Sequence, residues 1–537
     1  MIPQFRSIKL IIFMIASHCL SNLAIPLHSQ EIQIKPYLQD VEPRSAVIMW
    51  QTDSGDESIV EWGITSGLGE ITSGSSVAVN FDSVRLHTVK IEPLDRFTTY
   101  FYRTRTGKIE SDIFSFRTPP FASEHRSFRF AAMSDMQIDN DAPGKFREIA
   151  NDGLLGYLNE NNGVPLPDQL ALVIVPGDLV VDGTNFDQWK NHFFNPAEVL
   201  FSQIPVYPVP GNHERNSVYF FQYFHLPENG TPAYAEHWWY KDYGNIRIIG
   251  MDSNDGYRDL SSQLSWLDQV LEELEVNDSI DFVFAQMHHP FKSELWIPGE
   301  VEFTGEVVKR LETFTEKTGK PSIHFFGHTH GYSRGQSKDH KHLWVNVATA
   351  GGAIDNWGEF EGKDYDEFTV TQDEYGFVIV EVDADKENPR FTLKRISRGN
   401  QYHSRDNELT DSIVVWKNRM APQAPVPLSP AGNEIPPGDL LLKASPFQSA
   451  NPTASHGASH WQISTDADFG KLIVDSWKQF ENWYYDIDQQ ADDDLTDEKI
   501  YRLLQPDTTY YWRVRYRDRN LNWSEWSTGQ TFKTRRE

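Results

Sequence analysis

The sequence predicts a multidomain protein in which a central α/β domain of layered sheets and helices lies between two all-β sandwiches. Three observations carry this expectation. The ends repeat one pattern, "LDRFTTYFYR" from Leu94 and "LQPDTTYYWR" from Leu504, each followed by a closing strand, "FSFRTPP" and "QTFKTRR". Around both copies, short alternating apolar and polar runs are broken by Pro, Gly, Asp and Ser, the pattern of antiparallel sandwiches. Between them the rhythm changes to compact apolar runs, "FRFAAM", "ALVIV", "IRIIGM", "DFVFAQM", "SIHFF" and "LWVNVA", separated by helical stretches. A chain of 537 residues also exceeds what one core can hold.

At the N-terminus, Arg6 and Lys9 precede an apolar stretch over residues 10–16 that is too short to span a bilayer. This predicts a secretory signal peptide over residues 1–29, cleaved between Ser21 and Ser29, and a secreted or periplasmic protein. Cys19, the only cysteine, lies within it, so the mature protein would rely on core burial and not on disulfides. No other stretch is apolar enough for a membrane span. The composition is 39% hydrophobic and 13% aromatic with 16 Trp, which favours packed globular domains over disorder. The formal net charge of −28 repels nucleic acid and anionic membranes, so an anionic substrate needs a local positive centre.

The first sandwich is expected over residues 30–120 and the last over 425–537, after the Pro-rich linker "APQAPVPLSP". Both resemble fibronectin type III domains, in which the Leu and Tyr of the repeated pattern form the corner leading into a core strand. The last one ends in "NWSEWS", which resembles the WSxWS box of cytokine-receptor sandwiches. Arg513, Arg515 and Arg517 of "WRVRYRDR" share one strand face, as stacking against Trp523 and Trp526 requires. This predicts a stabilising ladder, with a contact surface as the alternative; the protein or carbohydrate partner it would take stays open.

The central domain is expected over residues 126–416. In "SSQLSWLDQVLEELEV", Leu264, Leu267, Val270, Leu271 and Leu274 share one helix face. Polar clusters follow the apolar runs: "SDMQ", "PGDLVVDG", "PGNHE", "MHHP" and "GHTH". Polar residues at the ends of buried strands converge on one rim, where α/β proteins place their sites. Asp135, Asp178, Asn212, His213, His288, His328 and His330 are the residue types that an oxygen- and nitrogen-ligand metal site uses: carboxylates, an amide oxygen and imidazoles. A His-x-His pair alone is more often structural; all five clusters in this order are not.

The series resembles the calcineurin-like metallophosphoesterase superfamily, with its D-x-[H/Q], G-D, G-N-H-[D/E], H and G-H-x-H motifs. With the sandwich in front, it looks most like the purple acid phosphatase branch. The resemblance implies a four-layer α/β/β/α sandwich and a phosphoric ester hydrolase, a phosphomonoesterase using a metal-bridging hydroxide on a small phosphorylated substrate. A phosphodiesterase of the same fold, or a binding or adhesion protein with an inactive hydrolase domain, is the alternative. Two divalent metal ions, Mn, Zn or Fe, are implied. Asp135, Asp178 and His330 would hold the first, with Gln137 adding an oxygen or only a hydrogen bond. Asp178, Asn212, His288 and His328 would hold the second, with Asp178 shared. His213 would stabilise the phosphoryl group, with Glu214 orienting its ring. His289 would face the substrate or pack behind the ligands, and it or His213 would protonate the leaving group. One position departs from the branch: the tyrosine expected three residues after the Asp of G-D is Val181 here, so a ferric phenolate centre is not implied unless another tyrosine, such as Tyr332, replaces it.

Overall fold

The computed structural model describes residues 30–536, apart from positions 83, 160–162, 257–258, 419 and 439. The expected signal peptide lies outside the described residues. No described helix is long and apolar enough to cross a membrane.

In the first sandwich, Ile32–Glu42, Ser45–Thr52, Val84–Ile91 and Ser75–Val79 form one antiparallel sheet. Glu70–Ser73, Ile59–Gly63, Thr99–Thr106, Ile109–Glu110 and Phe114–Arg117 form the other. Their inner faces bury Leu38, Trp50, Val60, Tyr102 and Phe116. The Tyr100 hydroxyl accepts the Asp95 N–H at 2.7 Å, and in the last sandwich Tyr510 accepts the Gln505 N–H at 2.9 Å. One hydrogen bond thus closes the corner before a core strand in both copies, which is the physical content of the repeat.

The central part stacks two sheets between helices. One has the order Val206–Pro208, Val173–Val175, Phe128–Ala132, Tyr375–Asp383, Arg390–Gly399 and Ser404–Trp416. Its first three strands are parallel and the rest antiparallel. The other sheet runs Trp239–Tyr243, Ile246–Gly250, Phe282–Gln286, Ser322–Phe326, His342–Val347, Tyr332–Gln336 and Phe368–Gln372, then two short strands considered below. Aromatic side chains lock the facing surfaces, with Phe130 5.6 Å and Phe391 5.2 Å from Phe284 between ring centroids. The helices Leu260–Glu275 and Glu302–Thr318 cover the second sheet. Leu267, Val270, Leu271 and Leu274 are buried there against Val307, Leu311 and Phe314, while Leu264 is half-buried. This is the 3.6-residue stripe read from the sequence.

In the C-terminal sandwich, Pro427–Ser429, Leu440–Ala444 and Asp497–Ile500 face the sheet Gly432–Ile435, Gln530–Thr534, Thr509–Asp518, His456–Ser464 and Leu472–Gln479. The ladder forms: Arg513 lies 4.1 Å from the Trp526 ring, Arg515 lies 4.3 Å from Trp523, and Arg517 lies 4.4 Å from Trp477. Its flank is also a contact surface, and what it contacts is this same chain. Arg517 donates to the Ser337 carbonyl at 2.9 Å, Trp523 to the Lys338 carbonyl at 2.9 Å and Trp477 to the Asp366 carbonyl at 3.1 Å. Beyond it, a hairpin of the C-terminal part, Trp483–Tyr484 and Ile487–Asp488, extends the central sheet, with Trp483 opposite Val370.

Arg517 is buried between two tryptophans and a backbone carbonyl, so Arg517→Ala should cost on the order of 2–4 kcal/mol by removing stacking and a charge-assisted hydrogen bond together. Arg517→Lys, which keeps the charge without the planar fork, should recover less than half of it. Chemical denaturation followed by tryptophan fluorescence measures both.

Candidate metal centre

Five loops leave strand ends at one edge of the stacked sheets. Asp135 follows Phe128–Ala132, Asp178 follows Val173–Val175, and Asn212 and His213 follow Val206–Pro208. From the second sheet, His288 and His289 follow Phe282–Gln286, and His328 and His330 follow Ser322–Phe326. Within each sheet these strands are parallel neighbours, so their C-terminal ends open on the same side.

The approach of the loops is close enough to require unusual backbone. Asp135, Asp178 and His328 have φ of 60°, 55° and 70°, the left-handed region that non-glycine residues occupy at a cost on the order of 1 kcal/mol or more each. Hydrogen bonds hold them there: the His213 N–H donates to Asp178 Oδ1 at 3.0 Å and the His328 N–H to Asp135 Oδ1 at 3.2 Å. Two glycines clear the space, because a Cβ at Gly211 would stand 2.1 Å from Asp178 Oδ1 and one at Gly327 would stand 2.4 Å from Asp135 Oδ2.

The side chains fall into two groups. In one, His330 Nε2 lies 3.2 Å from Asp135 Oδ1 and 3.0 Å from Gln137 Nε2. In the other, His288 Nε2 lies 3.1 Å from Asp178 Oδ2, 2.9 Å from Asn212 Oδ1 and 3.2 Å from His328 Nδ1. Asp135, Asp178 and His288 link the groups, with ligand atoms within 4.8 Å of one another. His289 joins them: its nitrogen meets those of His288 and His328 within the same limit, its ring centroid is 4.4 Å from that of His328, and its Nδ1 faces the Ser253 hydroxyl at 2.9 Å. His213 stands at the edge, one-third exposed, with Nε2 3.9 Å from Asp178 Oδ2.

The donor set fits metal ions. His288 Nδ1 faces the Pro176 carbonyl at 2.9 Å and His330 Nδ1 faces the Ala353 carbonyl at 2.6 Å. A carbonyl only accepts, so each Nδ1 carries a hydrogen and each Nε2 is left facing a carboxylate, whose negative charge a second proton or a cation at that position balances. Gln137 Oε1 is buried without a hydrogen-bond partner. A metal ion held there would take the place of those protons and also engage Gln137 Oε1. The field points the same way. Burial opposes charge on Asp135 and Asp178, yet His330 beside the one and His288 beside the other hold both below the usual carboxylate range. Burial likewise opposes charge on the imidazoles, but Asp178 raises His288 to about 9 and Asp135 raises His330 to about 10. His328, with burial and the neighbouring imidazoles His288 and His289 against it, falls to about 2.

One expectation is corrected, and one alternative is closed. Glu214 does not orient His213: its carboxylate is fully buried and accepts the backbone N–H groups of Gly211, Asp178 and Leu179 at 2.6, 2.9 and 2.8 Å. Burial first, then Asp178, pushes it up to about 8. The ring of His213 is oriented instead by the Val181 carbonyl, 2.6 Å from Nδ1. Tyr332 does not replace the missing tyrosine, since its hydroxyl turns to Asp411 Oδ2 at 2.6 Å. Other contributors went unread in the sequence: Asp355, whose Oδ2 accepts the His330 N–H at 2.7 Å, Ser253 behind His289, and Trp296, whose ring centroid lies 5.1 Å from that of His328.

Comparison with known proteins agrees with this geometry. Residues 128–332 match the calcineurin-like phosphoesterase family, residues 32–118 the purple acid phosphatase N-terminal domain, and residues 452–535 the Rha78A-like N-terminal immunoglobulin domain. Purple acid phosphatase 22 of Arabidopsis thaliana is 26% identical over 304 residues, 52% of this chain and 62% of that protein. Probable inactive purple acid phosphatase 1 of the same plant is 23% identical over 407 residues, 65% of this chain and 64% of that one. A nucleotide pyrophosphatase/phosphodiesterase of Hordeum vulgare is 23% identical over 293 residues, 47% and 78% of the two chains. The chain thus spans less than two thirds of the length of the first two relatives. Among solved structures, purple acid phosphatase PPD1 from yellow lupin (Lupinus luteus) seeds superposes with a TM-score of 0.56 at 16% identity over 71% of this chain and 73% of that one. PhoD gives 0.52 at 12% identity over 72% and 90%. These likenesses establish the shared fold.

Val181 offers no side-chain donor and Tyr332 is engaged elsewhere, so a phenolate ligand is not supplied from either position. Protein loaded with iron and oxidised in air should therefore stay without an intense visible charge-transfer band, while manganese, zinc or ferrous iron should rebind to the metal-stripped protein. Absorption spectra and metal-by-metal reconstitution check this; a purple protein would overturn it.

Proposed function

We propose that this chain, a calcineurin-like metallophosphoesterase domain behind a purple acid phosphatase N-terminal domain, hydrolyses the phosphoric monoester of a small substrate outside the cytoplasm and uses two divalent cations to do so. The observation that carries the reading is the convergence of Asp135, Asp178, Asn212, His288, His328 and His330 with their acceptor atoms facing one another. Two cations held there would lower the pKa of a shared water and neutralise the phosphoryl oxygens, supplying the positive centre that the acidic chain otherwise lacks.

The residues then divide the work. Asp178, facing the second group and within reach of Asp135, would be the carboxylate shared between two ions, with Asp135, His330 and Gln137 holding one and Asn212, His288 and His328 the other. His213 keeps one hydrogen on Nδ1 against the Val181 carbonyl, which leaves Nε2 to take a second proton, to hold a phosphoryl oxygen and to pass that proton to the departing alkoxide. His289, backed by Ser253, stands where it can assist. Export rests on the basic and apolar run in residues 1–29, and N-terminal sequencing of the protein recovered outside the cell tests it.

The barley relative makes a diester the competing substrate, and the plant relative called probable inactive raises a binding role; the complete donor set speaks against the latter. Turnover of phenyl phosphate and of bis(4-nitrophenyl) phosphate after chelation and re-addition of single metals separates the three readings. Asp178→Ala should lower turnover to below about 5% and deplete both metals on elemental analysis, since it removes the ligand they share. His213→Ala should lower turnover by about 10²–10⁴-fold with metal content unchanged, as for loss of a general acid. Loss of a metal from the His213 variant would mean that this ring is a ligand.

A further inference from the structure

Beside the centre, Trp296 stands against His328 and Phe360 leans on Trp296, with ring centroids 5.1 and 5.8 Å apart. Phe360 is 42% exposed, an apolar ring left at the surface between Glu359 and Glu361. Its loop is nevertheless held at three points. At its start, Asp355 binds the backbone N–H of His330. At its end, the Ile297 N–H donates to the Glu361 carbonyl at 2.9 Å, tying it to the segment that carries Trp296. In its middle, Trp357 stacks on Tyr485 at 4.7 Å and 24°, meets Tyr484 edge-on at 5.0 Å, and its indole N–H donates to Asp486 at 3.3 Å. Those three residues belong to the hairpin that the C-terminal sandwich adds to the edge of the central sheet. A whole domain thus fixes a loop whose exposed product is one aromatic ring next to the phosphoryl site.

We propose that Trp296 and Phe360 form a leaving-group subsite for the planar, aromatic alcohol portion of the substrate ester, and that the C-terminal hairpin sets its position. The inference rests on the phosphoester reading above and deepens it. A planar ring lying on these faces buries apolar surface and gains stacking, whereas a short alkyl or polyol group gains little from them. The acidic surroundings of Phe360 add no competing attraction for an anionic tail. The C-terminal sandwich then serves specificity through position.

The test compares kcat/KM for phenyl phosphate and ethyl phosphate in the manganese-loaded full chain. In Phe360→Ala the phenyl-to-ethyl ratio should fall by about five- to tenfold, with the change in KM, and Phe360→Tyr should keep the ratio. Tyr485→Ala, which loosens Trp357 without touching the centre, should move the ratio the same way by a smaller factor. An unchanged ratio in Phe360→Ala, or an equal loss for both esters, overturns the subsite while leaving the hydrolase reading intact. If the wild type turns over neither ester, that reading fails by itself, and binding decides the subsite: phenylphosphonate should quench tryptophan fluorescence at lower concentration than methylphosphonate, and equal potency refutes it.

Discussion

Two carboxylates buried side by side set the terms for the rest of this molecule. Withdrawing such groups from water costs several kcal/mol each unless countercharges and hydrogen bonds replace the solvent. Asp135 and Asp178 meet that demand with imidazoles in contact, with backbone N–H groups from His213 and His328, and with loops bent into the left-handed region to bring those groups within reach. The demand also explains the architecture. Only parallel strands ending at one edge of two stacked sheets deliver this many short polar loops to one place, and only a thick apolar core on either side keeps the place dry enough for the charges to matter.

Much of this was legible in the amino-acid string because ligand chemistry restricts residue type. Carboxylates, an amide and imidazoles directly after apolar runs form a pattern that few other arrangements require, and the structure brings those residues together. What was not legible depends on direction and not on type. Glu214 follows His213 in sequence, which suggested a partnership, but the turn sends its carboxylate back to the N–H groups of Gly211, Asp178 and Leu179. Asp355 arrives from a loop after paired glycines with no ligand-like spacing. The strands Trp483–Tyr484 and Ile487–Asp488 have two residues each, too few for any period to show.

The C-terminal sandwich illustrates a related limit. Its ladder was readable as an internal device from three arginines on one strand face and the nearby Trp523 and Trp526, whereas the stack of Arg517 on Trp477, from another strand, was not. That the same ladder also touches the Ser337 and Lys338 carbonyls was not readable, because backbone acceptors leave no trace in side-chain identity. The outcome is a sandwich whose arginine and tryptophan ladder also forms a seam with the central part of the same chain.

Residue 181 separates the choice of metal donors at the proposed centre from the orientation of a neighbouring imidazole. Its side chain occupies the position where the related branch keeps a metal-binding tyrosine, while its carbonyl orients the imidazole of His213. The two duties fall on different atoms of one residue. A substitution there would change which side-chain donor faces the proposed metal site and leave the carbonyl that aims the His213 ring in place, because the peptide oxygen is the same in every amino acid. The donor set of the proposed centre and the aim of the His213 ring can therefore vary independently at this one position.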